Sequence, residues 1–147
     1  MNTASTPFKT IGVIAIIAAG LIAAAIAHRP TQPLVWMVAY LVLVTGVVQY
    51  VLGAGQASLT ARPLAMSTIW GQWVLLNLGH AGVIAGTLLS NFVMLILGTV
   101  LYDLAMLWFA WCVRGGMPGL RRTGYWLLIV VMAASSLVGV ALSQLSK

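Results

Sequence analysis

Asp103 is the only acidic residue in a chain of 147, and it stands in an apolar run one helical turn after Thr99. An ionisable side chain in such a setting is costly, so by default it marks a place where something is done. His80 stands in a second apolar run, about ten residues before the polar pair Ser90-Asn91, while Asp103 lies about twelve after it. If the chain reverses at that pair, the two side chains sit at similar depth and are placed to meet. A carboxylate beside an imidazole could bond helix to helix, or could take up and release a proton.

Their neighbours extend the pattern. Trp73, Asn77, His80, Ile84 and Thr87 follow three- and four-residue steps and share one helical face, while Gly79, Gly82 and Gly86 occupy another. Gly46, Gln49, Gly53 and Gln56 make a further stripe of small and amide side chains. Gln49, Asn77, His80, Thr99 and Asp103 are therefore expected to form an interior polar network. Gly46, Gly53, Gly79, Gly82 and Gly86 are expected to let helices approach closely, as small residues do in membranes.

Other chemistries are excluded on residue counts. With His28 and His80 as the only histidines, at different depths, a bis-histidine haem within one chain does not fit. One aspartate with one histidine is too thin for a metal site, so neither metal nor other cofactor is expected. Neither paired carboxylates nor a Ser-His-Asp set at a water interface is present. Gly53-Ala54-Gly55-Gln56 lacks the third glycine and the strand-turn-helix setting of a phosphate loop. Cys112, the single cysteine, reads as a small apolar residue at a helix end.

The elements that must position these residues follow from composition. The chain is 62% apolar and 5% charged, against roughly a quarter charged in a soluble domain. It could not cover its own surface with polar groups in water, so a bilayer is its natural solvent. A crossing helix needs about 20 apolar residues, and spans are expected at about 11–27, 34–54, 69–89, 92–113 and 125–143. The stretch Ile69 to Cys112 would be about 66 Å long as one helix, twice the hydrocarbon thickness, hence two spans turning at Ser90-Asn91. The segment Gly55 to Pro63 reads as a polar connection, and Arg114 to Gly124 as a loop. The expected fold is an all-α polytopic transmembrane helix bundle forming one domain over residues 1–147.

The basic residues lie at the ends of the apolar runs rather than along one helix, so the formal charge of +6 does not imply a nucleic-acid partner. With five spans, Lys9, Arg62, Arg114, Arg121 and Arg122 fall on one side, and Arg29 and Lys147 on the other. That bias places the amino terminus in the cytoplasm and the carboxyl terminus outside. Arg62, Arg114, Arg121 and Arg122 are read as topology signals or contacts to anionic lipid. Trp36, Trp70, Trp73, Trp111, Trp126 and Tyr125 lie near span ends, as interfacial aromatics do. Lys9, the first apolar run and Ala25-Ile26-Ala27 also resemble a secretory signal ending before His28, but the run is long for a signal core and is expected to stay as an anchor.

No catalytic set or soluble region emerges. The expected role is that of a non-catalytic subunit or accessory protein of a larger assembly in the bacterial inner membrane, in contact with lipid and with other subunits or its own copies. The alternative is a small oligomeric proton-coupled transporter or channel using Asp103 and His80. A third reading is an intramembrane enzyme acting on lipid, for which Arg62, Trp70 and Gln72 are the hints.

Overall fold

The computed structural model describes residues 3–116 and 118–145. After a short 3₁₀ turn, Thr3–Ser5, come α1 (Thr6–Ile26) and α2 (Gln32–Tyr40). A π-helical segment (Leu41–Val48) carries α2 without a break into α3 (Gln49–Leu59). Then follow α4 (Met66–Leu88), α5 (Phe92–Val113) and α6 (Leu120–Leu145). The described residues contain no strand. The protein is all-helical.

Four of the long helices are apolar and long enough to cross a membrane: Thr6–Ile26, Gln32–Leu59, Phe92–Val113 and Leu120–Gln144. The other, α4, has 23 residues and the length to cross, about 35 Å. Its apolar run is interrupted by Gln72, Asn77 and His80, of which Gln72 and His80 are buried.

Several boundaries differ from those expected, always because a helix runs past its apolar core. Pro7 and Pro33 sit inside the first turns of α1 and α2, positions where a missing N–H costs nothing. Gly55, Gln56 and Ser58, expected in a connection, are the last turns of α3. Leu120 to Gly124, expected in a loop, open α6: Pro118 and Gly119 end the turn, and no breaker of that strength follows. The reversal between α4 and α5 falls at Ser90, whose φ of 51° is left-handed, and Asn91 caps α5 by accepting from the Met94 N–H at 3.1 Å.

The chain divides into two compact units, one ending at Ser58 and the other beginning at Leu59. In the first, α1 presents Phe8, Gly12, Ala15 and Ala19 as one buried stripe, with the three- and four-residue steps of a helical face. A Cβ added to Gly12 would lie 2.8 Å from the Gly46 carbonyl oxygen, so α1 touches the π-helical segment nearly backbone to backbone. About two turns further on from Gly46, Gly53 leaves the space filled by Phe8. Glycine is required at these crossings because any side chain would push the helices apart.

The second unit is built on α5. Its α4 side is a glycine seam: a Cβ on Gly79 would lie 2.7 Å from the Tyr102 nitrogen, and one on Gly82 2.7 Å from the Gly98 Cα. Gly86 similarly meets Leu95. Around this seam Leu76, Val83, Ala105, Met106, Phe109 and Val113 are buried. On its other side α5 carries α6, where Tyr125 and Ile129 are buried and most of the remaining apolar surface is exposed.

Candidate functional site

The polar residues of the second unit are set by their angle around α5. Successive helical residues are about 100° apart. Tyr102, whose backbone meets Gly79, therefore faces α4, and Asp103 is turned away from it. The Tyr102 ring packs against His80, centroids 5.4 Å apart and planes tilted by 50°. Both residues are buried, and the Tyr102 hydroxyl has no hydrogen-bond partner among the described residues.

Asp103 is half-buried and belongs to the α6 side. Ser136 Oγ donates to Asp103 Oδ1 at 2.7 Å and lies equally close, 2.7 Å, to the carbonyl oxygen of Ala133. A hydroxyl has one proton to donate, so the two acceptors share it. The structure thus joins Asp103 to a serine on α6 and His80 to a tyrosine on α5; the expected Asp103–His80 pair is not what it forms. Ser136 was not among the expected residues. The available signal was that Ser135 and Ser136 are the only hydroxyls in the middle of an otherwise apolar last span.

Two other members of the expected network, Thr99 and Asn77, bond within their own helices. Thr99 Oγ1 donates to the Leu95 carbonyl at 2.9 Å, and Asn77 Nδ2 to the Trp73 carbonyl at 2.8 Å. Thr87 Oγ1 does the same to Val83, also at 2.8 Å. These back-bonds let a polar side chain lie in an apolar setting at little cost. Gln49 belongs to the first unit, fully buried on α3, where Thr45, Gln49 and Gln56 form a stripe of buried polar residues. Thr45 Oγ1, within the π-helical segment, has no hydrogen-bond partner among the described residues.

A further polar contact lies nearer the start of α4. Gln72, fully buried, donates from Nε2 to Cys112 Sγ at 3.5 Å, and Trp108 packs over Gly71 beside it. Because α4 and α6 begin where α5 ends, Trp70, Trp73, Trp108, Trp111 and Trp126 all fall at this end of the unit, within about two turns of it. Arg62 precedes α4 in the exposed connection. Arg114 and Arg121 are exposed and Arg122 is half-buried, all at the turn between α5 and α6. Lys147 lies outside the described residues.

Chemically, the arrangement offers interhelical bonding, aromatic packing on a buried histidine and one intramembrane carboxyl group. No protein family, curated protein or solved structure matches this chain.

Proposed function

We propose that this chain is a non-catalytic subunit of a membrane assembly. The observation that supports this reading is how the polar side chains of α4 and α5 are spent. Asp103 ends on Ser136 and Gln72 on Cys112, while Asn77, Thr87 and Thr99 bond to their own helix backbones. In a bilayer the two bonds that cross between helices hold them together, each contributing on the order of 0.6 kcal/mol. α6 is held least tightly, and its wide exposed face is open to lipid or to a neighbouring helix.

In this reading each of the five long helices crosses once, α4 included, because its polar side chains are covered by protein rather than by lipid. The same reading takes the membrane to be a bacterial inner membrane, and the charge bias supports an amino terminus on its cytoplasmic side. Gentle extraction from native membranes, followed by intact-complex mass spectrometry, tests the proposal. It predicts a stoichiometric second membrane protein; a monodisperse, fully active monomer would overturn it.

A second reading is favoured by one specific observation. Asp103 is the only acid, half-buried in the middle of α5, with a hydroxyl rather than a cation as its partner. A proton-coupled transporter formed by several copies would need such a group.

A further inference from the structure

The turn between α5 and α6 gathers positive charge that the chain itself cannot neutralise. Arg114, Arg121 and Arg122 fall within nine residues. The single acid, Asp103, is bonded to Ser136 eleven residues before Arg114, about 16 Å away along α5.

The three arginines are not equivalent. Arg122 is half-buried, and its guanidinium donates to the carbonyl of Gly116 at 2.8 Å and to that of Arg114. It closes the carboxyl end of α5, where carbonyls lack helical partners and a cation is favoured. Arg114 is exposed, its guanidinium lying 3.2 Å from the centroid of the Trp111 ring. Trp111 is itself 62% exposed. Arg121 is exposed, and among the described residues no side chain or carbonyl bonds it.

The turn's place is equally defined. Both α5 and α6 are long and apolar enough to cross a membrane, so the residues joining them lie at one surface of it. The tryptophans at the same end suit headgroup depth. Arg presents a planar fork that matches phosphate geometry, and a guanidinium stacked on an indole keeps its outer N–H groups free to bind.

We propose that Arg114 and Arg121 form a headgroup site for an anionic phospholipid. The two guanidinium groups receive its phosphate, Trp111 serves as the platform that holds Arg114, and Arg122 fixes the turn that presents them. The site does not depend on the subunit reading, since it needs only lipid. Charge complementarity selects the occupant: three cations without an acid, at headgroup depth, beside an exposed indole.

The test uses the full chain in detergent, offered equimolar phosphatidylglycerol and phosphatidylcholine, with retained lipid read by native mass spectrometry. Wild type is expected to retain phosphatidylglycerol about tenfold or more over phosphatidylcholine, the scale of two interfacial charges. Arg114→Gln with Arg121→Gln should bring that ratio to near one, while Arg29→Gln, in a different connection, should leave it unchanged. Should the double variant misfold, Arg121→Gln alone removes no bond within the protein and should still lower the ratio several-fold. Equal retention of the two lipids by wild type would overturn the proposal, and so would a preference that survives the double substitution. Displacement of the lipid by inorganic phosphate at about 10 mM would point instead to a free-ion site. A preference replaced by binding of an acidic protein loop would also overturn it.

Discussion

Ser136 Oγ and Asp103 Oδ1 lie 2.7 Å apart, joining α6 to α5 through the chain's only acidic side chain. The same hydroxyl lies 2.7 Å from the Ala133 carbonyl, so the bond between helices competes with one inside α6. It is a moderate tie in a region where few buried side chains help it.

A double-mutant cycle measures that tie. Ser136→Ala and Asp103→Ala, alone and together, should show a coupling of about 0.6 kcal/mol and no more than about 1.7 kcal/mol in bilayer-mimetic unfolding experiments. Strictly additive effects would show that the two side chains do not depend on each other.

Much of the architecture was legible because hydropathy and glycine spacing act locally. Ser90 and Asn91 interrupt a run too long for one crossing, and the chain turns there. Gly79, Gly82 and Gly86 repeat at steps that keep them on one side, and that side meets α5. The partner of Asp103 was not legible. Counting from the turn gives the depth of a residue but not the direction it faces, and Tyr102, not Asp103, takes the angle toward α4. Nor does any sequence pattern announce the π-helical segment Leu41–Val48, because its residues are as apolar as those of an ordinary helix.

The glycine seam should tolerate no side chain. Gly82→Leu would drive a Cβ to 2.7 Å from the Gly98 Cα and beyond, costing about 1–3 kcal/mol or more by overpacking. Gly139→Leu, where nothing lies within 4 Å, should change stability by no more than about 0.5 kcal/mol. Thermal denaturation of the purified variants compares them; equal losses would contradict the close α4–α5 approach.

In the first unit, Gly53→Leu should displace Phe8 and loosen α1, since a Cβ there would lie 2.5 Å from the Phe8 Cβ. Hydrogen exchange of the α1 amides should rise several-fold at its first two turns. Unchanged protection would show that α1 is held elsewhere.

Arg122 should act through geometry as well as charge. Arg122→Ala removes two charge-assisted bonds to carbonyls and should cost on the order of 1 kcal/mol, the discount reflecting its partial exposure. Arg122→Lys should recover less than half of this, because one ammonium does not match two carbonyls as a fork does. Amide exchange across residues 114–119 reads the effect, and full recovery by lysine would contradict it.

The central claim, that the polar side chains serve assembly rather than transport, is tested most directly by proton flux. The purified chain, reconstituted alone into vesicles with an imposed proton gradient, should give the leak of empty vesicles, and Asp103→Asn should give the same. A wild-type flux well above that leak, abolished by Asp103→Asn in a variant that still folds, would contradict the account and make Asp103 the proton-carrying residue of a transporter.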